Sequence, residues 1–150
     1  MGMERTFDQE YIVKCVTSPH VWDACTDDGA GDPDLYFPPM EPVVWIDAAG
    51  HGVFMLHPHN AITFEVHTCL LESGKGLATM LAKDVIKWIF ENTPCERLIT
   101  NVPDNNRLAL RLAERAGMKQ FGVNEKSFKK NGELLDQIML GISREDICQQ

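Results

Sequence analysis

The sequence predicts a single α/β domain built on a mixed, mostly antiparallel sheet flanked by helices. Three observations predict it. Residues 43–71 read as three consecutive strands joined by short turns, "VVWIDA", "VFMLHPH" and "ITFEVHTCLL". Two helical stripes follow, one over 77–91 and one running from the 104–106 cluster to Gly117, with the strand-like "RLITNV" between them. The tail 119–143 is two strand-like runs around Asn131 and Gly132, a pair suited to the left-handed angles of a type I′ hairpin turn. At 150 residues the chain is long enough for one core and needs no second domain.

Each element has its own justification. "QEYIVKCV" near the start has the texture of a short helix, whereas residues 17–42 are punctuated by Gly, Pro and Asp too often for a long one. A short helix around "HVWDAC" fits there. Long loops in compact domains often carry function; the other reading is an exposed acidic loop with Trp22 and Tyr36 tucked inward. In the third strand Ile62, Phe64, Val66 and Leu70 alternate with Thr63, Glu65, His67 and Cys69, which predicts one buried face and one polar face. Over 77–91, Leu77, Leu81, Val85, Trp88 and Ile89 form one stripe and Lys83, Lys87 and Glu91 lie opposite. Pro94 stops this helix, because the residue before proline is pushed out of the helical region. Asp104, Asn105 and Asn106 supply an N-cap for the second helix, which should turn Leu108, Leu112, Ala113 and Ala116 inward and end at Gly117.

Composition narrows the function. With 14 Lys and Arg against 22 Asp and Glu the formal charge is −8, a repulsive average field for a nucleic-acid backbone. A cationic or amine-bearing small molecule is compatible with it. No run approaches the ~18 apolar residues of a membrane span, and "MGMERTFDQEY" lacks the apolar core of a signal peptide, so the sequence predicts a cytoplasmic protein. Five cysteines without a CxxC pair read as reduced thiols.

The stretch that carries chemistry is "HTCLLESGKGLATMLAKDVIKWIF", where a strand passes through a glycine turn into a helix. Amides at a helix N-terminus attract anions, so this is a candidate phosphate seat. A Walker A loop needs a glycine five positions before the lysine and Ser or Thr after it, but Leu70 and Gly76 stand there. A dinucleotide fingerprint needs three spaced glycines in a βαβ unit, and here there are two, after a meander.

What "SGKGLATMLAKDVIKWIF" resembles is the acyl-coenzyme A loop of the GCN5-related N-acetyltransferase (GNAT) family, in which Gln or Arg precedes a spaced Gly and a final Gly or Ala. Gly76 and Ala78 match, and Ser73 stands at the Gln or Arg position. "NNRLALRLAERAGM" resembles the family's second motif through Asn106, Ala109, Leu112 and Gly117, with Met118 in place of the aromatic. Both motifs fall in the family's order of elements over about residues 43–142.

The resemblance implies a GNAT-like fold and direct attack of an amine on acetyl-CoA as co-substrate. The seat would be Ser73, Gly74, Lys75, Gly76, Leu77 and Ala78, with backbone groups of Cys69, Leu70 and Leu71 along the pantetheine arm and Asn106 beside it. Glu65, with His67 second, stands where such enzymes carry a general base, and the other reading is that both decorate a solvated sheet face. The tyrosine that many members use to protonate the leaving thiolate corresponds to Ala113. Acceptor choice would lie in the 22–37 loop, whose Asp27, Asp28, Asp32 and Asp34 suit a cation, and in the final hairpin.

"HPHNAITFEVHTCL", "ENTPCERLITNVP" and "KKNGELLDQIMLGISRED" also look like bacteriophage proteins with acetyltransferase-like folds. That likeness implies a non-enzymatic alternative, a virion component or assembly protein with homo-oligomeric or phage partners. His57, His59 and His67 could together hold zinc, but paired histidines around a proline in a turn are common, and no metal is expected. The acidic run "DDGAGDPD" lacks the spacing and glutamate of a calcium loop.

Overall fold

A computed structural model describes residues 2–148, with the side chain of Cys148 outside the described part. The order is β1 (Met3–Thr6), α1 (Gln9–Thr17), α2 (Pro19–Cys25), a 3-10 turn at Pro33–Leu35, β2 (Val44–Ala48), β3 (Gly52–Pro58) and β4 (Thr63–Leu70). A 3-10 turn at Glu72–Leu77 leads into α3 (Ala78–Asn92), followed by β5 (Arg97–Pro103), α4 (Arg107–Arg115), β6 (Lys119–Lys130), β7 (Glu133–Ser143) and α5 (Arg144–Cys148). The seven strands form one sheet in the order β1-β2-β3-β4-β5-β7-β6. All neighbours are antiparallel except β4 and β5. The expected mixed, mostly antiparallel sheet is therefore present.

The parallel pair is what opens a site. Its register covers only Thr63, Phe64 and Glu65 against Arg97, Leu98 and Ile99, although both strands continue beyond it. A last link is made by a side chain, Thr100 Oγ1 donating to Val66 O at 3.0 Å. Past that point the strands part in the middle of the sheet.

The two sheet faces bury separate cores. One face carries Ile46, Phe54, Leu56, Phe64, Val66, Leu98, Leu140 and Ile142 under Leu81, Val85 and Ile89 of α3 and Ala113 of α4. The opposite face carries Trp45, Val53 and Cys69 under Ile12, Cys15 and Val16 of α1 and Val21 of α2. The polar face expected for β4 is thus partly buried, with Cys69 only 5% exposed, because α1 and α2 cover it. The 17–42 segment is less irregular than its punctuation suggests, and Trp22 and Tyr36 do pack inward, their rings edge to face at 5.6 Å.

Local chemistry explains the main helix ends. Asn106 caps α4, its side chain accepting from Ala109 N at 3.2 Å, and Gly117 leaves the helix at φ +104°. Leu108 does not turn inward. It is 79% exposed, since Ala109, Leu112, Ala113 and Ala116 already fill the core-facing stripe of a helix with 3.6 residues per turn. Leu77 likewise leaves the predicted stripe, because it ends the 3-10 turn before α3 begins. The carbonyls at the C-terminal end of α3 are closed by Arg144, whose guanidinium donates to Phe90 O, to Thr93 O at 3.0 Å and to Cys95 O at 2.7 Å. At the hairpin tip Asn131 and Gly132 adopt φ +52° and +81°, as a type I′ turn requires.

Candidate active site

Alternation along β4 sends Glu65 and His67 away from the α3 core, toward the α1–α2 face and into the split. The Glu65 side chain is only 12% exposed and both its oxygens are used. His59 Nε2 donates to Oε1 at 2.8 Å, and His67 Nε2 donates to Oε2 at 2.7 Å. Burial alone would raise this carboxyl, but the hydrogen bonds and charges of His67, then His59, outweigh it and hold it near 2. A carboxylate so acidic is a weak proton acceptor. Glu65 holds Nε2 of His67, so in the neutral form of the ring Nε2 carries the proton and Nδ1 the lone pair. Glu65 and His67, the pair expected from sequence, are thus in direct contact on this face.

The edge of β4 that faces the split is readable from its carbonyls. Val66 O accepts from Thr100, Thr68 O from Cys25 Sγ at 3.7 Å, and Leu70 O from His20 Nε2 at 2.9 Å. N–H and C=O of one strand residue point to the same side, so the amides of Thr68 and Leu70 face the split beyond the β4–β5 ladder. Cys69 does not belong to this edge. Its backbone is opposite Val53 in the β3 ladder and its thiol lies in the smaller core, so Thr68, unnamed from sequence, replaces it.

At the strand end, Leu71 N donates to His51 O at 2.8 Å and Gly74 N to Leu71 O at 2.9 Å. The amide of Gly74 is therefore already spent. A Cβ there would lie 3.1 Å from His51 O, so close packing on the β2–β3 turn explains this glycine. At Gly76 a Cβ would meet no atom within 4 Å, which leaves its outer side free for a ligand. Ser73 Oγ bonds His51 Nδ1 at 3.0 Å, and Lys75 Nζ pairs with Glu72 Oε2 at 2.9 Å. Glu72 is held below the ordinary carboxylate range by that bond to Lys75, with the charges of Lys75 and His20 adding. No side chain caps α3, whose first residue is Ala78. The positive end of this 15-residue helix therefore lies at the turn, with no carboxylate or hydroxyl from a side chain seated on it. An open depression of about 560 Å³ borders the turn on the α1–α2 side, lined by Lys14, Ser18, His20, Leu71 and Ser73.

A clasp spans the α1–α2 side of the split. Lys130 Nζ, from the β6–β7 tip, donates to Asp23 O and Thr26 O, both at 2.7 Å. Asp28 closes the same tip, its carboxylate accepting from Asn131 N at 2.8 Å and Gly132 N at 2.9 Å, and those two bonds hold its pKa down. Asp27 and Asp32 accept from Gly29 N and Asp34 N, so two of the four loop aspartates shape the loop itself and Asp28 ties it to the hairpin. Cys25, at the end of α2, is an exposed residue whose thiol turns in toward β4. Its hydrogen bond with Cys69 lowers its pKa against the opposing effect of burial, with His67 and Lys130 adding; Cys69 is raised by the same bond and by burial. Tyr36 is pushed up to about 12 by burial and then by Cys69, so it stays protonated.

The side-chain oxygen of Asn106 is taken by the α4 cap, and Ala113 is buried in the main core, where no phenol is present. His57 and His59 meet edge to face at 5.5 Å while His59 and His67 both turn to Glu65. Among the described residues no group of three or more His, Cys, Asp or Glu side chains is arranged to hold a metal ion.

A split parallel pair beside an uncapped helix after a glycine turn defines an acyltransferase-like fold, and the comparisons agree. The family profile described as an acetyltransferase (GNAT) domain matches residues 41–119, more than half of the chain. The chain belongs to the GNAT family. Among solved structures, a spermidine N-acetyltransferase from Vibrio cholerae, in complex with CoA and spermine, superimposes with a TM-score of 0.75 at 17% identity over 95% of each chain. A GNAT-family acetyltransferase from Bacillus anthracis does so with a TM-score of 0.59 at 22% identity, over 69% of this chain and 66% of that one. The microcin C7 self-immunity acetyltransferase MccE, in complex with acetyl-CoA and AMP, gives 0.56 at 21% identity over 67% and 59%. No curated protein matches the chain in sequence.

Proposed function

We propose that the chain is an acetyl-CoA-dependent N-acetyltransferase acting on a primary amine. The observation that carries this reading is the pair His67 and Glu65, joined at 2.7 Å and directed into the split between β4 and β5. The residues present fit the coenzyme: Thr68 and Leu70 offer amides along the split, Gly76 leaves open space, and the α3 N-terminus, which no side chain caps, would face a pyrophosphate. Acetyl-CoA supplies the activated acetyl group. Ser73, held by His51, and Lys75, after release from Glu72, complete the seat.

His67 takes the proton of the attacking amine, directly or through one water, and Glu65 keeps the ring in the tautomer that leaves Nδ1 free. The net charge of −8 favours a cationic acceptor, and a structural neighbour bound to spermine makes polyamines the first class to assay. The test is mass-spectrometric detection of acetylated polyamines and peptides with acetyl-CoA. His67→Ala is expected to lower kcat/KM about 100-fold, and Glu65→Gln by a smaller factor. A wild-type protein that acetylates no amine in the panel refutes the reading.

A second reading, a non-catalytic member serving bacteriophage assembly or another binding role, is favoured by Ala113. Its burial in the core leaves α4 without a proton donor for a leaving thiolate.

A further inference from the structure

One polar group in the split is unexplained by the fold. Among the described residues, Asn101 Oδ1 is the buried side-chain oxygen or nitrogen that has no hydrogen-bond partner. Buried polar atoms are almost always paired, because desolvation without a bond is costly, so an orphan calls for a reason. Its position supplies one. Leu98 and Val102 on β5 belong to the α3 core, so Asn101 between them faces the other way, as Glu65 and His67 do on β4. The last ladder pair is Glu65 with Ile99, and Thr100 reaches Val66, which sets Asn101 level with His67 across the parted strands.

We propose that Asn101 accepts the second N–H of a primary amine acceptor and so selects primary over secondary amines. The inference rests on the N-acetyltransferase reading of the same split. In the reaction the nitrogen lone pair forms a C–N bond to the thioester carbon and the C–S bond breaks. One N–H proton passes to His67 Nδ1 and then to the departing sulfur, giving an N-acetyl amine and the free coenzyme thiol. A primary amine attacking in neutral form carries two N–H bonds. His67 uses one, and the other needs an acceptor at the same level on the facing strand, the level at which the register sets Asn101 with its unpartnered oxygen. A secondary amine has one N–H and leaves the carbonyl unpaired, a loss that sites built to hydrogen-bond their substrate turn into discrimination. The coenzyme also carries N–H donors, in its pantetheine arm. The amine is the occupant favoured by placement, because Asn101 is on the face away from α3, whereas the coenzyme seat is at the α3 N-terminus.

The experiment compares wild type, Asn101→Leu and Asn101→Asp with propylamine, N-methylpropylamine and spermidine as probes, alongside acetyl-CoA titration calorimetry and thermal melts. Asn101→Leu is expected to lower kcat/KM for primary amines about tenfold, chiefly through KM, and to bring the primary-to-secondary ratio close to one. Coenzyme Kd stays unchanged, and the melting temperature does not fall, since an unpaired buried group has been removed. Asn101→Asp keeps an accepting oxygen and keeps the selection. If Asn101→Leu instead weakens acetyl-CoA and leaves amine KM alone, the pantetheine arm is the occupant and the proposal fails. It also fails, with the N-acetyltransferase reading intact, if wild type binds acetyl-CoA and acetylates both amine classes equally, or if Asn101→Leu changes no kinetic constant. Wild type that binds no acetyl-CoA, or acetylates none of the probes, overturns the proposal together with that reading.

Discussion

Glu65 makes a quantitative prediction about acid stability. Its carboxyl falls from the ordinary 4.5 to about 2 in the folded protein, because two imidazoles bond its two oxygens at 2.8 and 2.7 Å. A folded-state pKa below the unfolded one stabilises the protein above the unfolded value, and that stability is lost as pH falls through the folded one. The window runs from about 4.5 down to about 2. At about 1.4 kcal/mol per unit the ionised group contributes about 3 kcal/mol at neutral pH, and about 2 kcal/mol of it is gone by about pH 3. The perturbation is Glu65→Gln, which keeps the shape and removes the charge. Urea denaturation of wild type and variant across that range should show a gap of about 3 kcal/mol at neutral pH that narrows steeply on acidification. A gap that stays constant from neutral pH to about pH 3 would mean that the histidines do not hold this carboxylate down, and the assignment of Glu65 as the group that orients His67 would go with it.

Other consequences are as direct. Arg144→Met strands the carbonyls of Phe90, Thr93 and Cys95 and should cost about 3 kcal/mol in urea denaturation, without changing coenzyme affinity. Gly52 has φ +136°, and a Cβ there would lie 2.4 Å from Cys69 O, so Gly52→Ala should cost about 3 kcal/mol and disturb the open end of β4. Iodoacetamide mapping at neutral pH should label Cys25 ahead of Cys15, Cys69 and Cys95, which are buried and whose thiols are raised; equal labelling would contradict the exposure of Cys25 and the burial of the other three.

Much of this architecture was legible because it depends on period and punctuation. The alternation through Phe64, Glu65, Val66 and His67 put the right side chains on the right faces, and Asn131-Gly132 marked the hairpin. Glycine-turn spacing located the α3 N-terminus. Legibility ended where tertiary partners decide. β1 is four residues, "MERT", with no pattern of its own, and is a strand because β2 lies beside it. Leu108 and Leu77 matched an apolar template, yet neighbours had already filled the stripe. The contacts that acidify Glu65 could not be read along the chain, since its second histidine, His59, sits six residues away in the turn between β3 and β4. The close packing of Gly74 on His51 and the direction of the Thr68 carbonyl likewise depend on tertiary neighbours that the motif spacing does not show. Asn101 carried no sequence signal at all; only a buried oxygen without a partner singles it out.

The most direct test of the central claim is titration calorimetry of acetyl-CoA into wild type and Gly76→Trp. Residue 76 has no atom within 4 Å of where a Cβ would lie, so the indole fills the coenzyme's space without straining the fold, and the variant should melt like wild type. Saturable micromolar binding to wild type, abolished in Gly76→Trp, is the predicted result. Absence of binding at millimolar coenzyme, or equal binding to both proteins, would contradict the assignment of the turn before α3 as the coenzyme seat.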